Sequence, residues 1–96
     1  MLHIVNKSPY DRNSMDTALS YVVDGDTLLL IEDGVYGVIK GGAAASKLEG
    51  CTVSVLAADI AARGIAEDKL IDGVSVIDYA GFVDLVEANE KVQSWL

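Results

Sequence analysis

The sequence holds one cysteine and one histidine in 96 residues, and these two shortages remove whole classes of chemistry. Zinc sites need three or four convergent ligands, which one His and one Cys do not supply, so no metal is expected. A lone cysteine cannot build an internal disulfide framework and fits a reducing cytoplasm. Basic side chains are also few: 7 Lys and Arg stand against 15 Asp and Glu, a net charge of −8. Nucleic acid and anionic membranes are held by cationic surface that releases counterions, and scattered basic residues do not make one. No apolar run approaches the roughly 20 residues of a membrane helix. Residues 1–5 lack a cationic leader region and pass straight into polar NKSPYDRN, so no secretory signal is read there. GxGxxG after a strand, GxxxxGK followed by Ser or Thr, and CxxC are all missing. A receiver domain would want acidic residues after the first strand, where this chain has Asn6 and Lys7. No cofactor is implied.

What is present is apolar residue: 51% of the chain, with a mean hydropathy of +0.33. A chain this short buries roughly 60–70% of its unfolded surface, so so much apolar content points to area that an assembly partner covers. Residues 28–31 are an unbroken Leu-Leu-Leu-Ile run stopped by Glu32, Asp33 and Gly34. A run of that length bounded by turn formers is a strand buried on both faces, as in a parallel sheet under helices.

The rest of the chain supplies such a strand with neighbours. Residues 2–5 read as a first strand, 52–57 (TVSVLA) as a third and 74–77 as a fourth. Met15, Ala18, Leu19 and Val22 form a helical stripe, with Asn13 and Asp16 as a capping pair. Val35, Val38 and Ile39 predict a helix capped by Asp33. Gly41 and Gly42 interrupt it, and 43–48 resume as a second short helix. Asp59 is expected to cap a helix over 60–63 that Gly64 ends. Residues 65–73 read as loop with one helical turn. Asp78 caps a last helix in which Phe82, Val83 and Val86 share a face, and 91–96 is a tail carrying Val92, Trp95 and Leu96. The fold class is therefore α/β: one three-layer domain over 1–96, a mostly parallel four- to five-stranded sheet with helices on both faces.

Ligands in such sheets gather at the carboxyl ends of the strands. Those ends place Asn6, Ser8, Asp33 and Asp59 as the rim of a candidate small site. The plainer account is that Asp33 and Asp59 cap helices and Ser8 satisfies a turn. His3 reads as a packed or edge residue rather than a base. A Ser8–His3–Asp33 arrangement can be written but lacks the strand–elbow context of such triads. Cys51, beside Glu49, Gly50 and Thr52, has no cationic neighbour to lower its pKa and reads as a partly buried structural thiol. No catalytic residue is assigned. Tyr36, Tyr79, Trp95 and Leu96 are the candidate interface residues.

Five blocks in order, MLHIVNKSPY, LLLIEDGVYG, DIAARG at 59–64, VIDYAGFVDL at 76–85 and VQSWL at 92–96, resemble the DsrH/TusB family end to end. The blocks around Asn6, Glu32 and Asp78 are more similar to DsrH than to TusB. The resemblance implies a cytoplasmic heterohexamer with DsrE/DsrF- or TusD/TusC-like siblings, two copies of each of three related subunits. That assembly passes persulfide sulfur towards a DsrC/TusE-like carrier, for 2-thiolation of the tRNA wobble uridine or for dissimilatory sulfur oxidation. In the DsrE- and TusD-type siblings the persulfide cysteine stands at the end of the third strand, just before a block similar to DIAARG. Here that position falls at Leu56 or Ala57, and Cys51 does not match it. The implied role is a non-catalytic, architectural subunit without direct tRNA contact. The competing expectation is a stand-alone α/β ligand-binding protein that uses the rim and acts as a homo-oligomer.

Overall fold

The computed structural model describes residues 1–95. Five strands, β1 (Leu2–Val5), β2 (Thr27–Leu30), β3 (Thr52–Leu56), β4 (Ser75–Ile77) and β5 (Val92–Trp95), form one sheet in the order β4-β3-β2-β1-β5. Every pairing among them is parallel, with Leu2 opposite Thr27 and Val92, and Leu30 opposite Val55. Between the strands lie helices α1 (Ser14–Tyr21), α2 (Ala57–Ala62) and α3 (Tyr79–Ala88), and tighter 3-10 segments at Glu32–Val38, Ala45–Leu48 and Glu67–Lys69.

The order of strands decides which face each helix covers. From β1 to β4 the chain steps in one direction, so right-handed crossovers lay α1, the 3-10 segments and α2 on one face. From β4 it returns across the sheet to β5, and that reversal puts α3 on the other. Side-chain alternation along the strands agrees. Val5, Leu28, Leu30, Val53 and Val55 point into the larger core with Met15, Ala18, Val35, Val38, Leu48 and Ile60. Leu2, Ile4 and Leu29 point the other way, under Phe82 and Leu85 of α3. Leu28, Leu29 and Leu30 are each fully buried, as a doubly covered central strand requires.

Several sequence expectations are corrected. The tail is a fifth strand: Val92–Trp95 pairs with β1, whose edge would otherwise stay open. The helix expected over 35–39 is a 3-10 segment that begins at Glu32 behind Ile31, so Asp33 lies inside it and caps nothing. Helix α2 begins at Ala57 with Leu56 at the cap position, three residues before the expected start, so Asp59 sits in its first turn instead of capping it. Asn13 does precede α1 but makes no side-chain cap, and Asp16 pairs with Lys47 at 2.9 Å. In α3 Phe82 packs inward with Leu85, whereas Val83 and Val86 are exposed. Asp78 caps α3 as expected, its Oδ1 accepting from the Gly81 amide at 2.8 Å. Gly64 follows α2 at φ +67°, the left-handed position that helix ends assign to glycine. Leu96 lies outside the described residues.

Candidate functional site

At the carboxyl ends of β1, β2 and β3, Asn6, Asp33 and Asp59 come together through two residues that sequence reasoning missed, Glu32 and Arg63. Glu32 follows the turn out of β2 at φ +50°, in the left-handed region that non-glycine residues rarely occupy. That conformation presents its amide to Asp59 Oδ2 at 2.8 Å, while its carboxylate accepts from Asn6 Nδ2 at 3.3 Å. Arg63 closes the arrangement from α2. Its Nε donates to Asp33 Oδ1 at 2.9 Å, and its Nη1 donates to the Asp59 carbonyl oxygen at 3.1 Å. The Asp59–Arg63 spacing of four residues in DIAARG is the sequence signal that could have found this pair.

Ser8 is not part of that network. It is buried, and its Oγ accepts from the Tyr10 amide at 3.2 Å, so it holds the turn after β1. With Lys7, Asp11, Arg12 and Asp33 it lines a shallow cleft of about 260 Å³. The bonded network of Asn6, Glu32, Asp33, Asp59 and Arg63 carries three carboxylates against one guanidinium, and its members bind one another. Asn6 Oδ1 is the exception, buried and without a partner among the described residues. Neither a thiol nor an imidazole stands there.

Both of those groups lie elsewhere. Cys51 precedes β3, half-buried against the larger core, five residues before Leu56 and so about 16 Å from the carboxyl end by strand rise. The strand end itself is aliphatic, with Leu56 buried and Ala57 half-buried. His3 is wholly buried within β1. The Trp95 indole, which can only donate, gives its Nε1 proton to His3 Nδ1 at 3.1 Å. Nε2 must then carry the imidazole proton, and it donates to Asp26 Oδ2 at 2.9 Å. With both nitrogens occupied, His3 has no free position for substrate or metal.

Asp26 is the hub of this second cluster. Its carboxylate accepts from His3, from the Met1 amino group at 3.0 Å and from the Val23 amide at 3.1 Å. The His3 hydrogen bond first, then the Met1 amine and the Val23 amide, hold its pKa far below the usual carboxylate range, against the opposing effect of burial. A depressed carboxylate pKa contributes stability above the unfolded value, near 4, and loses it as pH falls below that value. Asp26→Asn is therefore expected to lower the melting temperature at neutral pH by several degrees. The gap between wild type and variant should narrow as pH drops through 4 towards 3, followed by thermal melts across that range. A gap that stays constant with pH would show that the carboxylate's charge is not what matters.

The fold and the rim define a class: a small all-parallel α/β domain whose strand ends offer no sulfur nucleophile. Among solved structures, the YchN protein from E. coli matches with a TM-score of 0.79 over 97% of each chain at 22% identity, a likeness of fold. Protein Tm0979 from Thermotoga maritima matches with a TM-score of 0.67 at 25% identity, over 95% of this chain and 97% of that one. A family model described as "DsrH like protein" matches residues 7–92. Protein TusB of Pectobacterium parmentieri is 37% identical over 97 residues, 99% of this chain and 100% of the relative. Protein TusB of Photorhabdus laumondii subsp. laumondii is 38% identical over 99 residues, with the same coverage. The chain belongs to the DsrH/TusB family of sulfur-relay subunits.

Proposed function

We propose that this chain is a non-catalytic subunit of a cytoplasmic heterohexameric relay, completing an assembly in which a sibling subunit carries persulfide sulfur. The observation that carries the reading is the aliphatic end of β3. Sulfur relay needs a thiolate that is both nucleophile and leaving group. Leu56 and Ala57 occupy the place from which such a thiol would meet its acceptor, and the one thiol available sits at the opposite end of the strand. The siblings are DsrE/DsrF- or TusD/TusC-like chains and the downstream acceptor is a DsrC/TusE-like carrier. The pathway served is tRNA wobble-uridine 2-thiolation or dissimilatory sulfur oxidation, and the TusB relatives lend weight to the first. The rim gives the stand-alone ligand-binding reading less support, because Glu32, Asp33, Asp59 and Arg63 already bind one another.

The test is a complex reconstituted with both siblings, with Cys51→Ser in this chain. Sulfur delivered to the carrier should stay within about twofold of wild type, a difference of less than half a kcal/mol in barrier. Loss of transfer from an intact variant complex would make Cys51 a sulfur carrier and overturn the proposal.

A further inference from the structure

Helix α3 is the one α-helix among the described residues with no buried residue, although seven of its ten positions are Tyr, Phe, Val, Leu or Ala. Two apolar stripes explain this. Phe82 and Leu85 take the inward stripe against Leu2, Ile4 and Leu29. Tyr79, Val83 and Val86, spaced four and three residues apart and so on one side of the helix, form the other. Their side chains are 66%, 52% and 37% exposed. Val92 of β5, 42% exposed, lies on the same face of the sheet, since it stands opposite Leu2. A clustered apolar patch of this kind on a small domain marks a contact surface.

Its border selects the occupant. Beside the Tyr79 stripe stands Glu87, four residues from Val83, and Asp84 lies one further row round the helix, three residues before Glu87; both are exposed, and neither has an ion pair among the described residues. Asp78 and Glu90 flank the helix ends, and Lys91 is the one Lys or Arg in the sequence from 70 to 96. Two copies of this chain meeting here would set carboxylates against carboxylates, a repulsion that burial strengthens. From this border we infer that the outer side of α3 docks a different protein, one presenting an apolar patch edged with Lys or Arg. Resting on the relay reading above, the partner is a TusC- or TusD-like sibling with a basic-rimmed face. Of the candidate interface residues expected from the sequence, Tyr79 lies on this surface. Tyr36 and Trp95 do not belong to this surface: both lie on the sheet's other side, and Trp95 is engaged by His3 and Tyr21.

The experiment co-expresses the full chain with both siblings and measures association by sedimentation and by titration of the separated components. Val83→Lys and the double variant Asp84→Lys/Glu87→Lys alter exposed positions, and an unchanged melting temperature establishes that each is folded. Each is expected to weaken assembly at least tenfold, and wild-type assembly should weaken as salt rises from about 0.1 M to 1 M, where screening shortens to about 3 Å. A complex that forms normally with both variants overturns the α3 surface and leaves the relay reading standing. A wild-type chain that binds neither sibling overturns both. A wild-type chain that dimerises alone, and loses the dimer on Val83→Lys, makes the occupant a second copy and rejects the heterotypic assignment.

Discussion

Leu30→Ala is expected to lower the free energy of unfolding by about 2–5 kcal/mol, the range for emptying a well-packed leucine site. Leu30 is fully buried near the end of β2, between Val5 of β1 and Val55 of β3, on the side that meets the larger core. The neighbouring backbones are fixed by the sheet ladder on both sides, so the cavity cannot collapse by shifting one strand. Domains of this size have about 5–15 kcal/mol in total, and a loss in the upper half of the range would leave a substantial unfolded fraction at physiological temperature. Urea titration of wild type and variant measures the difference. A loss under about 1 kcal/mol would mean that the core repacks and that β2 is less constrained than its burial indicates.

Gly34→Ala should cost a comparable amount for a different reason. A Cβ on Gly34 would collide with the carbonyl oxygen of Val5. That oxygen also accepts the Ile31 amide at 3.0 Å as β1 and β2 end, and the Gly34 amide bonds back to the Ile31 carbonyl at 2.9 Å. Backbone faces backbone, so neither side yields without breaking a hydrogen bond. Overpacking of this kind costs about 1–3 kcal/mol and here should reach at least the top of that range. Gly37→Ala is the control: its added methyl would meet Met15 Sδ at 3.1 Å, the far end of a flexible side chain that can move aside. Thermal melts should place Gly34→Ala well below Gly37→Ala, and hydrogen exchange at the Ile31 amide should accelerate in the first alone. Equal melting temperatures would show that the turn after β2 has room to spread.

Where the sequence was legible, the signal was local. Leu28 to Leu30 announce a doubly covered strand because three successive buried side chains leave no solvent face. Asp78 is legible as a cap because the amide that its carboxylate accepts from, Gly81 N–H, lies three residues on, within the same turn. Asp33 and Asp59 carry the same local signal and were misread, because tertiary partners outcompete the cap: Arg63 draws Asp33, and the Glu32 amide draws Asp59 from 27 residues away. The rim could be located from strand ends, yet its wiring through Glu32 and Arg63 depends on how β2 and α2 are set side by side. The inward stripe of α3 was ambiguous for another reason. Phe82 belongs equally well with Val83 and Val86 or with Leu85 on a helical wheel, and which set faces the sheet follows from the crossover. Nothing within Val92–Trp95 marks a strand: Val-Gln-Ser-Trp does not alternate apolar with polar, and the segment gains that structure only from pairing with β1, some ninety positions earlier.

The lock between His3 and Trp95 has a practical side. Trp95 is the sole tryptophan of the chain, its ring stacked on Tyr21 at 5.1 Å and tethered by its nitrogen to the imidazole. Indole fluorescence excited selectively thus monitors whether the final strand has clicked into place, while far-ultraviolet dichroism follows the helices. A denaturation curve in which the optical signals separate would reveal β5 peeling away ahead of the remaining sheet, a partial opening that the two-probe comparison detects without any added dye.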